Sequence, residues 1–308
     1  MKLNQIEKNA AFSLAGIYGL RMFGLFLVMP VLFIHAQDMV DFTPLLAGMA
    51  IGIYGLGQAI LQIPFGYLSD RIGRKPVIII GLLIFALGSV VAANADTVWG
   101  LIVGRALQGA GAIASTLMAL AADLSRPELR SKMMAVIGAT IGVSFMLALI
   151  SGPWLAGMVG FDGLFWITAA LAIAAIAVVK WITPEGDLKI ANPAVLPAKQ
   201  QLKGVLNNSQ LMLTNLGIFL MHLFLTATFV IIPVQLITKG LPLTSHSWAY
   251  LLLLAGGFLA MLPALVWVEK KQAHRRGFII AVIVLVIANL LMGLVNNLTG
   301  LIIGLGLF

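Results

Sequence analysis

Gly66-Tyr67-Leu68-Ser69-Asp70-Arg71-Ile72-Gly73-Arg74-Lys75-Pro76 is a short charged stretch between two long apolar runs. It contains four charged residues and two glycines. A bilayer is crossed by about 20 apolar residues, and the runs on either side are long enough for that. The stretch therefore predicts a tight turn between two membrane-spanning helices, with its positive charge at the cytoplasmic surface.

The composition of the whole chain supports the same interpretation. Of 308 residues, 61% are hydrophobic and 10% are charged, and the mean hydropathy is +1.05. Soluble domains are about 25% charged. The net charge of +8 does not favour nucleic-acid binding, because the basic residues lie in short loops rather than on one soluble face. We therefore expect an integral membrane protein.

The residue inventory argues against several kinds of chemistry. The chain has no cysteine, which excludes disulfides, thiolate metal sites and cysteine nucleophiles. It also has no metalloprotease, serine-hydrolase or phosphate-loop motif. We therefore expect neither enzymatic activity nor a metal or organic cofactor.

Hydropathy predicts nine full spans and part of a tenth. The final residues, 300–308, reach only about half of a ~30 Å apolar core. We therefore expect a chain truncated within its tenth helix. The full spans are placed at 11–36, 45–69, 76–95, 98–122, 132–158, 162–183, 209–238, 246–268 and 277–296.

Basic residues predict the orientation of these spans. They cluster before span 1 and after spans 2, 4, 6 and 8, whereas the opposite loops are poor in them. Loops rich in Lys and Arg stay in the cytoplasm. We therefore place the N-terminus in the cytoplasm and expect lipid around the spans.

A polar stretch divides the chain into two parts. We predict a six-helix half over 1–183, a cytoplasmic linker over 184–208 and an incomplete second half over 209–308. Residues 29–32 and 232–235 align at an offset of 203, each with a proline second. Parallel repeats are typical of one large transporter class, but any two helical hairpins with equal loops would also align.

Four motifs resemble signatures of the major facilitator superfamily. The opening stretch is similar to its loop between the second and third helices, and Gly104-Arg105-x-x-Gln108-Gly109-x-Gly111 to the fourth-helix motif of proton-coupled members. Gly152-Pro153-x-x-Ala156-Gly157 resembles the fifth-helix antiporter motif, with alanine replacing one glycine. Gly24-x5-Pro30 resembles the first-helix motif of twelve-helix drug:proton antiporters, and 63–76 is similar to the YajR-type inner-membrane transporters.

This resemblance implies an all-α membrane protein with two six-helix halves that rock around a central cavity. It implies a monomer of the bacterial inner membrane that exports small lipophilic molecules, cationic ones among them, in exchange for protons. The alternatives are a metabolite symporter or uniporter of the same fold, and a truncated chain that does not transport.

The resemblance also implies a conformational-switch group at the cytoplasmic surface, in which Arg74 pairs with an acid at the foot of span 4. The alternative is that its basic residues only set topology and contact anionic lipid. The group consists of Gly66, Asp70, Arg71, Gly73, Arg74, Lys75 and Asp123.

Two further groups lie within the spans. An arginine in mid-span costs at least ~2.5 kcal/mol, so Arg105 must face a cavity or a partner. The resemblance implies a proton-linked role for Arg105, Gln108 and Gly109; the alternative is a structural tie to backbone carbonyls. Gly152, Pro153 and Gly157 form the antiporter motif, or alternatively an ordinary close helix contact.

The substrate cavity is the least constrained prediction. None of the 11 acidic residues lies in mid-membrane, so His222, which can titrate near neutral pH, is the candidate proton carrier. A hydrogen-bonded structural histidine is the alternative for this residue, and Asp70 and Asp123 at the membrane edge are the other candidate proton carriers. Arg21 either faces the cavity or extends to the cytoplasmic surface. The predicted lining is Arg21, Met22, Phe26, Gln58, His222 and Gln235.

Overall fold

A computed structural model describes residues 4–185, 204–295 and 297–307. These residues form helices and loops, with one isolated parallel bridge between Val40 and Thr97. Most of the predicted linker, at 186–203, lies outside the described residues. The helices are α1 Gln5–Ala36, α2 Pro44–Ile72, α3 Arg74–Ala93, α4 Val98–Ala110, α5 Ala114–Asp123, α6 Arg130–Trp181, α7 Ser209–Thr238, α8 His246–Lys270, α9 His274–Leu294 and α10 Leu298–Leu307.

Polar caps begin several of these apolar helices. The Asn4 side chain accepts a hydrogen bond from the Glu7 backbone N–H at 2.8 Å, and the Glu7 carboxylate accepts one from the Asn4 N–H at 2.9 Å. Thr43 and Thr97 cap α2 and α4 through their hydroxyl oxygens. These contacts satisfy backbone donors that the first helical turn leaves without partners.

The all-helical architecture is confirmed, but the count of nine full spans is not. Seven helical stretches in the described ranges are long and apolar enough to cross a membrane. α6 is counted once among the seven, but its backbone is not helical at Gly160 (φ 76°, ψ 172°), which agrees with the predicted break between spans 132–158 and 162–183. The predicted span 246–268 corresponds to α8, which is not among the seven.

The predicted span 98–122 is broken in its middle. α4 ends at Ala110, α5 begins at Ala114, and Gly111 has φ −71° and ψ 46°. A Cβ added to Gly111 would lie 2.4 Å from the Gly81 carbonyl oxygen. The break therefore lets the backbone of this span approach α3, and it frees the Gly111 carbonyl for a side-chain donor.

Two apolar clusters fill the two ends of the bundle formed by α1 to α6. One contains Leu27, Val31 and Phe165, and the other contains Tyr18 and Leu117. A third cluster joins α6 to α7, α8, α9 and α10 and includes Leu149, Phe229, Tyr250, Met292 and Leu305. Along α1 and α4, the two mid-span arginines lie between the first two clusters.

Candidate functional site

Arg105 and Gln108, one turn apart on α4, form a fully buried polar network. Arg105 Nη1 donates to Gln108 Oε1 at 2.8 Å, and Arg105 Nε donates to the Ala50 carbonyl at 3.3 Å. Gln108 Nε2 donates to Ser89 Oγ at 2.8 Å, and Ser89 donates to the Phe85 carbonyl at 2.8 Å. The network thus ties α4 to α2 and α3.

Glycines bring the three backbones close enough for this network. A Cβ added to Gly104 would lie 2.6 Å from the Ala92 nitrogen, and one on Gly109 would lie 2.2 Å from the Tyr54 carbonyl oxygen. Real Cβ atoms do not approach backbone atoms so closely. Gly109 of the predicted proton-linked group therefore acts as a contact between α4 and α2.

Arg21 is the second fully buried arginine. Its Nη2 lies 3.1 Å from Tyr54 OH, 3.1 Å from Gln58 Oε1 and 3.2 Å from the Gly111 carbonyl oxygen. Its Nε and Nη1 are buried without a hydrogen-bond partner in the described structure. Arg21 therefore points into the bundle, and the alternative in which it extends to the cytoplasmic surface is wrong.

Tyr54 contacts both arginines. Its hydroxyl lies beside Arg21 and donates to Gln58 Oε1 at 2.7 Å, while the Arg105 guanidinium carbon lies 4.9 Å from the centre of its ring. The Arg21 guanidinium carbon lies 5.4 Å from the centre of the Phe85 ring. Aromatic faces attract cations, so these rings partly compensate the two buried charges.

The predicted switch residues come together where α2 and α3 meet the end of α5. Arg74 Nε lies 3.1 Å from Asp123 Oδ2, and the Arg74 guanidinium also contacts Asp70. Arg74 Nη1 donates to Ser69 Oγ at 2.6 Å. The arrangement joins α2, α3 and α5 through one guanidinium.

The other predicted switch residues contact groups outside this set. The Arg71 guanidinium carbon lies 4.4 Å from the centre of the Tyr67 ring, and Lys75 Nζ lies 2.9 Å from Glu185 Oε1. Gly73 joins α2 to α3 with φ 100° and ψ 153°, a conformation open essentially to glycine alone. A Cβ on Gly66 would lie 3.3 Å from Ser115 Oγ, a tight contact with α5.

The antiporter motif divides into separate contacts. A Cβ on Gly152 would lie 2.5 Å from the Leu27 carbonyl oxygen, so this glycine brings α6 against α1. Pro153 is buried within α6. Gly157 is exposed, and a Cβ there would lie 3.7 Å from Thr244, an ordinary contact.

Four of the six predicted cavity residues lie together. Met22 and Phe26 pack on the cluster of Leu25, Tyr54, Phe85, Ala86 and Ala172, and Arg21 and Gln58 contact Tyr54. The other two lie on α7. His222 is exposed and its Nδ1 lies 2.9 Å from the Ile218 carbonyl oxygen, while the buried Gln235 Oε1 has no hydrogen-bond partner among the described residues.

Sequence reasoning missed the residues that connect the predicted ones. Tyr54 stands four residues before Gln58, so a polar pair on one face of span 2 was visible in the sequence. It also missed the pair of Glu7 and Arg126, whose Nε and Nη2 lie 2.8 and 2.9 Å from the two carboxylate oxygens. The spacing Asn4-x-x-Glu7 before an apolar run was the available signal for the buried position of Glu7.

Comparison with known proteins gives consistent results. Residues 14–308 match the profile described as Major Facilitator Superfamily. The chain is 41% identical over 291 residues to the inner membrane transport protein YajR of Escherichia coli (strain K12), covering 94% of this chain and 64% of YajR. It is 24% identical to the multidrug resistance protein MdtH of Yersinia pestis (strain Pestoides F), covering 89% of this chain and 68% of MdtH.

A solved structure shows the same fold. The bacterial homolog of the human lysosomal transporter Spinster, in an inward-facing and occupied conformation, superposes with a TM-score of 0.78 at 15% identity. The match covers 99% of this chain and 72% of that structure. The chain spans less than two thirds of the length of YajR.

Proposed function

Because the chain belongs to the Major Facilitator Superfamily, whose profile matches residues 14–308, we propose that it exports small lipophilic molecules across the bacterial inner membrane in exchange for protons. Two six-helix halves alternate between states open to opposite sides of the membrane, with the N-terminus in the cytoplasm. The protein acts as a monomer.

The buried arginines carry this proposal. Arg21 and Arg105 are fully buried in helices that are otherwise apolar. Charged side chains within membrane spans are costly and mark substrate or proton pathways. If these positions served packing alone, apolar residues of similar size would be more stable there. The presence of two arginines therefore supports a transport role.

The relatives support the direction and the type of substrate. YajR is named an inner membrane transport protein, and MdtH is named a multidrug resistance protein. Both are transporters rather than enzymes. Together with the antiporter motif around Gly152 and Pro153, these relatives support the proposal that this chain exports lipophilic compounds.

The switch group supports alternating access. Arg74 joins Asp70 on α2 to Asp123 at the end of α5, at one surface of the bundle. An exposed ion pair is worth only about 0–1 kcal/mol. A contact of that strength can form in one state and break in another, which suits a device that biases two conformations.

Flux measurements test the proposal. The full-length gene product is reconstituted in proteoliposomes with an imposed pH gradient and a panel of labelled cationic, neutral and anionic lipophilic compounds. We expect gradient-driven movement of at least one compound against the proton flow, its loss in Arg105→Met and its retention in Arg130→Met, an exposed arginine.

Three outcomes contradict it. If folded protein moved none of the compounds under a pH gradient of either direction, export would be excluded. Movement in the same direction as the protons would replace exchange by symport, and movement that ignores the gradient would replace it by uniport.

A further inference from the structure

Arg21 is buried with unused hydrogen-bonding capacity. It has 0% relative exposure, and three acceptors surround its Nη2 alone. The Nε and Nη1 groups have no partner in the described structure. A buried donor without an acceptor is costly, and native proteins retain such groups where a ligand or water completes them.

Within the described ranges, Arg21 forms no ion pair with a carboxylate. The ion pairs that join Arg74 to Asp123 and Arg126 to Glu7 lie at helix ends. The groups that Arg21 contacts are a phenol, an amide and a backbone carbonyl, all neutral. Arg105, the neighbouring buried arginine, is likewise held by neutral oxygens. The interior of the first half therefore carries net positive charge.

Gln58 separates Arg21 from a more open face. Its side chain is half-buried on α2, and only 22% of the most apolar part of α2 is buried. Gln58 Oε1 accepts from both Arg21 and Tyr54. An anionic group approaching from this face could replace that oxygen, while the Gln58 amide rotated to donate instead.

We propose that Arg21 binds the negative charge of the transported molecule, so that the substrates are lipophilic organic anions, carboxylates foremost. This inference rests on the proposed export function and narrows its substrate class. The guanidinium would offer the carboxylate its Nη2, in place of Gln58 Oε1, together with its free Nη1 in a bidentate contact, which suits the planar geometry of both groups. Met22 and Phe26 would pack against the apolar part.

Binding of defined acids tests the inference without a proton gradient. The probes are 1-naphthoate and decanoate, each paired with its uncharged amide, and binding to the purified full-length gene product is measured by calorimetry. We expect both acids to bind and the amides to bind at least about tenfold more weakly, because a charge-assisted hydrogen bond is lost.

Variants assign the binding to Arg21. Arg21→Gln should weaken binding of the acids at least about tenfold and leave the amides unchanged. Arg21→Lys keeps the charge but not the planar fork, so an intermediate loss is expected. Arg130→Gln, at an exposed arginine, is the matched control and should bind as the wild type does.

Competition separates two sources of the anion. If millimolar chloride or acetate displaced the acids completely, the site would hold a free inorganic or small anion, and the assignment to a substrate carboxylate would fall. Acid binding that persists in 100 mM chloride supports the substrate assignment.

Failure of this inference is distinguishable from failure of the proposed function. Folded wild-type protein that binds neither acid, or Arg21→Gln that binds both as tightly as wild type, overturns the inference even if the flux assay succeeds. If Arg21→Gln does not fold, Arg21→Lys decides: affinity equal to the wild type overturns it. Arg21-dependent binding without any flux would overturn export and leave the anion site standing.

Discussion

At the scale of single residues, Gln108 shows how a membrane-buried arginine is accommodated. Its Oε1 accepts a hydrogen bond from Arg105 and its Nε2 donates one to Ser89, whose hydroxyl donates to the Phe85 carbonyl. Removing a buried charge from water costs several kcal/mol, which must be offset by such contacts. Loss of the Gln108 side chain would therefore leave both Arg105 and Ser89 without a hydrogen-bond partner that they now have.

Replacing Gln108 tests this description. In Gln108→Leu, Arg105 Nη1 loses its acceptor and Ser89 Oγ loses its donor, so we expect destabilisation by about 1–3 kcal/mol. Unfolding in detergent measures the change. Gln210→Leu, at an exposed position on α7, is the control and should change stability little. Equal effects of the two substitutions would contradict the importance of the network.

The sequence could predict which residues are polar and buried, but not how they pair. Arg105 and Gln108 lie one turn apart on one helix, so their contact followed from spacing. Arg21 had two possible positions, because its side chain is long enough to reach either the surface or the interior. One of its three acceptors is the Gly111 carbonyl, which a helix break leaves free, and hydropathy alone does not predict such a break.

At the scale of elements, the junction between α2 and α3 depends on one backbone conformation. Gly73 has φ 100° and ψ 153°, which is strained for any residue with a Cβ. We expect Gly73→Ala to destabilise the protein by about 1–3 kcal/mol. Gly138→Ala, in open space within α6, should instead stabilise it by about 0.5–1 kcal/mol. Thermal unfolding of both variants measures these opposite signs, and destabilisation of both alike would contradict the assignment.

The pair of Glu7 and Arg126 joins the start of α1 to the turn before α6. Hydrogen bonding from Arg126 lowers the pKa of Glu7 from 4.5 to about 2. Glu7 is buried in the first turn of α1, before the predicted membrane-spanning residues 11–36. Because the folded state favours the ionised carboxylate, the lowered pKa of Glu7 stabilises the folded protein. This stabilisation is complete above pH 4.5 and is lost as the pH falls towards 2.

Removing the Glu7 charge should therefore remove a pH dependence. We expect Glu7→Gln to unfold at lower temperature than the wild type at pH 6, with the difference shrinking between pH 4.5 and 2. Melting curves over this range measure it. Glu269→Gln, at an exposed carboxylate, should follow the wild type throughout. A difference that stayed constant with pH would show that the effect is not that of the charge.

Hydropathy predicted the helices well but only one of two interruptions. It separated 132–158 from 162–183, and Gly160, whose backbone is not helical, lies in that gap. It joined 98–122, although the backbone is not helical between Ala110 and Ala114. The missed break lies at Gly111, whose conformation depends on the close approach of α3 rather than on local polarity.

At the scale of the whole molecule, an aromatic series connects the first half to α7. Phe26 on α1 meets Phe145 on α6 with ring centres 4.8 Å apart, and Phe145 meets Phe229 on α7 at 5.7 Å. Both pairs are edge-to-face, an arrangement worth about 0.5–1.5 kcal/mol per pair beyond burial. Phe145 is therefore a main point of contact between the two parts of the chain.

Truncating Phe145 tests that contact. We expect Phe145→Ala to destabilise the protein by up to about 3 kcal/mol, since it removes both ring pairs and opens a void. Phe12→Ala, at a phenylalanine that is 74% exposed, is the matched control and should have a small effect. Denaturant unfolding in detergent measures both variants. A loss at Phe145 no larger than at Phe12 would show that the halves are held together elsewhere.

Tyr54 has a consequence that concerns energetic linkage. One side chain touches Arg21 through its hydroxyl and Arg105 through its ring. Any event that shifts this phenol at one arginine must alter the other, and coupling free energies between two sites are reciprocal. The effects of substituting the two arginines should therefore not be additive, and the buried cations behave as one thermodynamic unit rather than as two independent sites.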